Sequence, residues 1–253
     1  MKFDDIDRKM RVFETADDHC VLPGMFIVAR LDGRNFTRLT KEICHFEAPY
    51  DSKFRDAMTD TTVHLMGCGF KVLYGYSQSD EISLMFHRDE DAFGRKTRKL
   101  ISILSGEASA KFSMLVGTHG VFDCRLSQLP SKDILVDYFR WRQEDAHRNT
   151  LNAHCYWMLR KDSLDEKQAT AKLLGMSVSE KNELLFKKGI NFNDLPSWQK
   201  RGIGVYRENF EKPSKDPRTG EETTASRKRL VKDLELPMGD EYAEFIQGFL
   251  SSI

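Results

Sequence analysis

Apolar residues recur along this chain at two spacings, and the switches between them outline a fold. Phe3, Ile6, Met10 and Phe13 stand at helical spacing and predict an amphipathic opening helix. Phe26 to Asp32 reads as a buried strand, and Gly33 supplies a tight turn after it. Asn35 to Ile43 predicts a short helix. A longer one follows the cap Asp51-Ser52, with Phe54, Met58 and Leu65 inward and Gly67 and Gly69 ending it. Phe70 to Tyr76 and Ile82 to Phe86 predict two strands joined across Ser77 to Asp80. From about Ala92 a long helix places Leu100, Leu104, Ala108, Phe112 and Leu115 on one face, and a strand around Val121 to Leu126 closes the unit. Strand, helices, strand, strand, helix, strand is the α+β, ferredoxin-like βαββαβ order, used by polymerase palms and nucleotide cyclases among others.

After Pro130 the pattern changes. Ser131 opens a long helix that carries Trp141, Arg142, His147, Arg148, Asn149, Tyr156 and Trp157, and shorter helices cover about 164–174 and 178–187. Gly202 to Tyr206 is strand-like. Arg207 to Arg229 holds 12 charged residues in 23, with a turn at Asp216-Pro217-Arg218-Thr219-Gly220, and predicts an exposed hairpin or mobile loop. Asp240 to Leu250 predicts a final helix. The expected division is a palm domain over 1–130 and a helical and hairpin extension over 131–253, packed on the palm.

Composition narrows the classes without selecting one. A chain of 253 residues can bury a substantial core. Lys plus Arg equals Asp plus Glu, 39 each, so net charge points to no polyanionic partner. The five cysteines form no C-x-x-C pair and are odd in number, which predicts reduced thiols, no zinc framework and a cytoplasmic setting. No apolar stretch approaches a membrane span, and the acidic start (Asp4, Asp5, Asp7, Glu14) is unlike a targeting peptide.

Two short acidic clusters carry the chemistry. Asp32-Gly33-Arg34 ends the first strand, and Ser79-Asp80-Glu81 lies between the second and third. Each alone also suits a solvated turn. Their pairing is informative, because carboxylates on neighbouring strands would share two divalent metals roughly 3.5–4 Å apart. Magnesium in particular takes one or two carboxylates plus substrate phosphates. Arg30 shares a strand face with Asp32, opposite Ile27, Ala29 and Leu31, and suits a triphosphate. The Gly33 carbonyl would add a metal ligand, and the following helix N-terminus would face phosphate. Glu81, next to Asp80 on a regular strand, is expected on the opposite face from it. Arg95, Lys96, Arg98 and Lys99 open the long helix as either a solvated face or a phosphate-binding one. Trp141 reads as core. His147 alone reads as structural, and Lys181-Asn182-Glu183 is uninformative alone.

Three classes fit these residues. Two-metal nucleotidyl transfer leads. A nucleotide cyclase shares the palm and acidic pair, but the chain adds a long extension after residue 130 and has no Gly-Gly-Asp-Glu-Phe hairpin. A non-catalytic RNA-recognition module presents aromatics on central strands, and Lys71-Val-Leu-Tyr-Gly-Tyr76 is not that signature.

Taken in order, Arg30-Leu-Asp-Gly-Arg-Asn-Phe36, Ser79-Asp80-Glu81, Phe122-Asp-Cys-Arg125, Trp141-Arg-Gln-Glu-Asp145 with His147 and Asn149, and Lys181-Asn-Glu-Leu-Leu-Phe186 resemble the tRNA-histidine guanylyltransferase superfamily. The resemblance implies a palm that extends RNA at its 5′ end, in the 3′-to-5′ direction. A 5′-monophosphate is activated with ATP or GTP, and the 3′-hydroxyl of an incoming nucleotide then attacks the activated phosphorus; no side-chain general base is assigned. It implies a catalytic set of Asp32, Asp80 and Glu81, with two Mg²⁺ ions on Asp32, Gly33 and Asp80. It implies nucleotide contacts at Arg30, Gly33, Arg34, Asn35, Phe36, Ser79, Lys96, Lys99, Arg125 and Lys181. His147, Asn149 and Asn191 fall in segments associated with the nucleotide and the RNA 5′ end. The implied partners are tRNA and nucleoside triphosphates, in a homotetramer built as a dimer of dimers. Three departures from the eukaryotic pattern shift the expectation within the superfamily. Thr37 replaces a His, Ala48 replaces a Lys before Pro49, and His147-Arg-Asn-Thr-Leu-Asn-Ala-His154 replaces a His-Ile-Asn-Asn-Leu-Tyr-Asn-Thr stretch. They resemble the guanylyltransferase-like branch, which adds nucleotides opposite a template and repairs tRNA 5′ ends. Untemplated addition of G to histidine tRNA is the alternative.

Overall fold

The structure, a computed structural model, describes residues 2–215 and 222–251. In chain order it comprises α1 (Phe3–Glu14), β1 (Phe26–Gly33), the short α2 (Phe36–Arg38) continued by a wider turn over Leu39–Ile43, α3 (Ser52–Leu65), β2 (Val72–Gln78) and β3 (Glu81–Phe86). There follow α4 (Thr97–Val116), β4 (Phe122–Leu129), α5 (Lys132–Lys161), α6 (Glu166–Leu173), α7 (Val178–Phe186), α8 (Ser197–Arg201), β5 (Ile203–Lys215), β6 (Glu222–Asp233) and α9 (Gly239–Gly248). The strands form one sheet in the order β4-β1-β3-β2-β5-β6. Its first four strands are the antiparallel ferredoxin-like arrangement that the pattern predicted.

Both faces of the sheet are covered, which is why β1 reads as an almost continuous apolar run. Ile27, Ala29 and Leu31 pack with Leu100, Leu104, Ala108 and Phe112 of α4 and with Met58 and Leu65 of α3. Phe26 and Val28 face the other way, against Leu135 and Phe139 of α5 and Tyr242 and Ile246 of α9. The second half of α5 leaves the sheet and forms a third core with α6 and α7 through Leu151, Cys155, Leu159, Ala169, Leu173 and Leu185. The caps are those expected: the Asp51 carboxylate accepts from the Lys53 and Phe54 amides, and Ser131 Oγ accepts from the Ile134 amide.

Three expectations change. The predicted face of α1 exists but covers nothing: Phe3 and Phe13 are 77% and 74% exposed, and α1 has no buried residue. Leu115, placed inward by periodicity, is exposed, and the neighbouring Val116 packs on the core in its place. The extension contributes to the palm itself, since Ile203–Tyr206 of β5 pairs with Tyr74–Ser77 of β2 and β6 pairs along β5. The turn predicted over 216–220 lies outside the described residues. No helix among the described residues is long and apolar enough to cross a membrane.

Candidate active site

Register brings the acidic clusters together. Asp32 lies opposite Glu81 in the β1–β3 pairing, and the Gly33 amide donates to the Asp80 carbonyl at 3.0 Å. The β2–β3 turn consists of Ser79 and Asp80, with Ser79 at φ 53. Asp80 thus belongs to the turn, not to the strand, and the alternation argument for Glu81 does not apply. Glu81 faces the same way as Asp32, since laterally paired residues share a face.

On β1 only Arg30 and Asp32 are less than fully buried. Arg30 Nη2 donates to Asp32 Oδ2 at 3.3 Å and to Glu81 Oε1. Arg125 pairs with Arg30 in the β1–β4 register, so the two cations stand side by side one step behind the carboxylates. Burial, and then the negative charges of Asp32 and Glu81, push the Asp80 carboxyl up to about 6. A carboxyl held that high beside two others marks a place short of positive charge. Gly33 has no space for a side chain, because a Cβ there would lie 2.5 Å from the Phe36 ring. Only its backbone is therefore available to a ligand. No group of three or more His, Cys, Asp or Glu side chains among the described residues could hold a metal unaided. The donor set of Asp32, Asp80 and the Gly33 carbonyl is hard, oxygen-only and incomplete. It fits magnesium, which completes its shell with water and phosphate oxygens.

Several concavities open beside this point, two of which share Pro49, Tyr50 and Ser79. The first is lined by Asp80, Glu81 and the α5 stripe Arg142, Asp145, Asn149 and Ala153. The second is aromatic and cationic. Lys41 Nζ lies 5.0 Å from the Trp157 ring centre, the Arg55 guanidinium 4.9 Å from Trp198, and Tyr50 meets Trp198 edge-on at 5.6 Å. The dividing loop is anchored by polar contacts. Tyr50 Oη and Thr150 Oγ1 are 2.6 Å apart, while Thr150 Oγ1 and Gln78 Nε2 both donate to the Gln199 carbonyl. His154 stacks on Tyr50 and meets Gln199 Oε1 at 2.9 Å.

The expected residues divide accordingly. Arg30, Asp32, Gly33, Ser79, Asp80, Glu81, Arg125 and Asn149 gather around the two concavities, and Arg34 and Asn35 form the exposed turn after β1. Phe36 offers only its backbone there, since its ring is core, against Phe54, Phe112 and Phe122. Lys96 and Lys99 are not in this group. β3 runs antiparallel to β1 and carries the chain about 17 Å away from Glu81 before α4 begins. At that far end Lys96 Nζ is bound to Asp18 at 2.6 Å, and Lys99 lies over Phe93. His147 and Asn191 form a separate cluster with Phe192: the imidazole meets that ring edge-on at 5.2 Å, and Asn191 caps the turn that carries it. Burial, then Lys200 and Arg201, lower the His147 pKa. Lys181 sits on α7, its carbonyl accepting from Cys155 Sγ. Trp141, expected in the core, is 55% exposed. Arg142, Tyr50, Trp157 and Trp198 were not singled out as site residues. The one available signal was Arg142, which stands on the Leu135–Phe139 stripe where an apolar residue belongs.

Comparison with known proteins agrees with this geometry. The family model for tRNAHis guanylyltransferase matches residues 7–130, and the model described as Thg1 C terminal domain matches 133–240. A probable tRNA(His) guanylyltransferase from Drosophila melanogaster is 34% identical over 200 residues, spanning 75% of this chain and 70% of that protein. The tRNA(His) guanylyltransferase of Neurospora crassa is 34% identical over 215 residues, spanning 80% and 72%. Among solved structures, a bacterial tRNA(His) guanylyltransferase (Thg1)-like protein in complex with ATP superposes with a TM-score of 0.75 at 27% identity, over 97% of this chain and 99% of that one. A carboxylate pair at the end of a palm strand, within a likeness that runs through the extension, places the chain in the tRNA(His) guanylyltransferase family, as a nucleotidyltransferase.

Proposed function

We propose that this nucleotidyltransferase extends the 5′ end of tRNA in the 3′-to-5′ direction, opposite a template base, using nucleoside triphosphates. The observation that carries the reading is the meeting of Asp32 and Asp80 beside an aromatic, cation-lined concavity that shares Ser79 with them. Asp32, Asp80 and the Gly33 carbonyl would hold magnesium, which when bound acidifies the attacking 3′-hydroxyl and neutralises the leaving phosphates. Arg30 and Arg125, side by side on β1 and β4, orient phosphate oxygens ahead of the reaction. The walls around Trp157 and Trp198 suit a nucleobase, which stacks on aromatic rings and tolerates nearby cations. ATP and GTP are the nucleotides expected there, in keeping with the ATP and GTP complexes of the bacterial Thg1-like protein. A homotetramer and a cytoplasmic location belong to the same proposal. Lys96 and Lys99, remote from the carboxylates within one chain, would reach the nucleotide only if another protomer brought them there.

The direct test offers purified protein, ATP, the nucleoside triphosphate complementary to the template base and Mg²⁺ a 5′-monophosphorylated tRNA lacking its first nucleotide, with product length read on a sequencing gel. Extension by one nucleotide is expected, abolished by EDTA; unextended tRNA together with a cyclic nucleotide product would establish the cyclase reading instead. Trp198→Ala should raise the apparent KM for the nucleotide about 10-fold while changing kcat less, since one stacking contact is worth roughly 1–3 kcal/mol. An unchanged KM would place the base elsewhere.

A further inference from the structure

Arg142 lies three residues after Phe139 and seven after Leu135, on the stripe by which α5 packs against the sheet, and its side chain is only 6% exposed. A charge buried at such a position is tolerated only when paired. Arg142 Nη1 donates to Glu81 Oε2 at 3.2 Å, Nη2 donates to Asp145 Oδ2 at 3.3 Å, and the guanidinium stacks 3.6 Å from the Trp141 ring centre. The other Glu81 oxygen is taken by Arg30. Both guanidiniums keep a buried Nε without a partner. They are therefore held in place by the carboxylates they grip, not by a full set of hydrogen bonds. Glu81 is clasped on each oxygen by a different cation. Asp32 meets only the same Arg30 Nη2 that grips Glu81, at 3.3 Å, and Asp80 meets no cation among the described residues.

We propose that Arg142 is a positioning residue that withholds Glu81 from the cation site, leaving Asp32 and Asp80 to face incoming cations, with Asp123 beside Asp32 held by Arg125. The inference rests on the reading of Asp32 and Asp80 as metal-binding. Glu81 is opposite Asp32 in register and next to Asp80 in the chain, so a released Glu81 would supply a third carboxylate to the same point. Affinity for hard cations rises with the count of charged ligands. A three-carboxylate site would hold a cation without nucleotide. Two carboxylates bind one firmly only when phosphate oxygens complete the shell, which couples cation binding to nucleotide binding.

The test is Mn²⁺ binding to the full chain without nucleotide, followed by the electron paramagnetic resonance of free Mn²⁺, with thermal melting of every variant. Arg142→Met should tighten Mn²⁺ binding about 10-fold, and Glu81→Gln alone should leave it within about two-fold. In the Glu81→Gln background, Arg142→Met should then also change it by no more than about two-fold. Arg142→Lys keeps the charge but loses the fork, so it should tighten binding by about three-fold; this variant decides the matter if Arg142→Met does not fold. Ten-fold weakening by Glu81→Gln alone would make Glu81 a direct ligand. Equal tightening by Arg142→Met in both backgrounds would reduce Arg142 to a bulk charge. Unchanged affinity in the Arg142 variants would leave it no role at the cation. Each of these results overturns the inference. Wild-type protein that binds no Mn²⁺, or binds it equally well with Asp32→Asn, would overturn the metal-binding reading itself and the inference with it.

Discussion

Asp80→Asn should abolish nucleotide addition and at the same time make the nucleotide-free protein more stable at pH 7.5. The first half follows from the chemistry proposed for the carboxylates. Losing one ligand of the catalytic metals forfeits several kcal/mol of transition-state stabilisation, a fall of about 10³-fold or more in single-turnover rate. The second half follows from the sign of the shift. The folded Asp80 carboxyl is pushed up to about 6 by burial, Asp32 and Glu81, above its ordinary value of 3.8. A raised carboxyl costs stability wherever it must ionise in the folded state. The cost is absent below the unfolded pKa, grows between roughly pH 4 and 6, and is complete above the folded value. An amide cannot ionise, so the Asp80→Asn variant should gain roughly 3 kcal/mol at pH 7.5 and nothing at pH 3.5. Asp32→Ala should be equally inactive with only part of that gain, since it removes one charge that raises Asp80 and leaves the burial in place. Rapid-quench addition assays and urea melts at the two pH values check both halves. Wild-type rates in either variant would remove that carboxylate from the site. Equal stability of Asp80→Asn and wild type at pH 7.5 would show that the Asp80 carboxyl is not raised in the folded protein. Gain of stability with loss of function is the expected signature of a site held in readiness for a cation.

The carboxylate pair was legible because each acidic cluster ends an apolar strand-like run, and the βαββαβ order sets those strand ends side by side. The β2–β3 hairpin fixes Glu81, and the long apolar run of β1 left its neighbour β3 little freedom of register. What the sequence misplaced depends on direction, and what it missed depends on the docking of helices. Lys96 and Lys99 lie close to Asp80 along the chain, yet six residues of antiparallel strand carry them to the other end of the sheet. Tyr50, Trp157 and Trp198 come from a loop, α5 and α8, and no local pattern announces that they meet. Trp141 failed for the opposite reason. Its size suggested core, but α5 presents the neighbouring Arg142 to the sheet, and Trp141 serves as the outer face on which that guanidinium stacks. The apolar face of α1 was read correctly as a pattern, and its exposure shows that amphipathicity reports a face to be covered without naming what covers it.

The identity of the added nucleotide should follow the opposing base of the acceptor stem. The phosphate contacts available to the chain, Arg30 and Arg125, would grip any triphosphate alike, and contacts of this kind carry no base information. The aromatic rings of the proposed base pocket and the ends of Lys41 and Arg55 are also undiscriminating, and of its other polar side chains Asp51 is spent on the Glu47, Lys53 and Phe54 amides, leaving Thr40, Glu47 and Ser79. Stacking holds every base, whereas rejecting the wrong one requires hydrogen-bonding groups that the wrong base leaves unpaired. If the chain supplies no such groups, the template must. The segment that departs from the eukaryotic pattern fits this view. His154 stands where a Thr is expected, and it is spent on Tyr50 and Gln199, bracing the loop between the two concavities rather than facing either. Truncated tRNAs carrying each of the four bases at the opposing position, each offered all four triphosphates, should therefore receive the Watson–Crick partner about 10²-fold faster than any mismatch. Efficient addition of G to full-length histidine tRNA opposite A or C, with poor repair of the truncated substrates, would instead align this chain with the activity named for its Drosophila and Neurospora relatives. Selectivity for G would then have to lie in residues that read guanine directly, and the walls around Trp157 and Trp198 would be the first place to look for them.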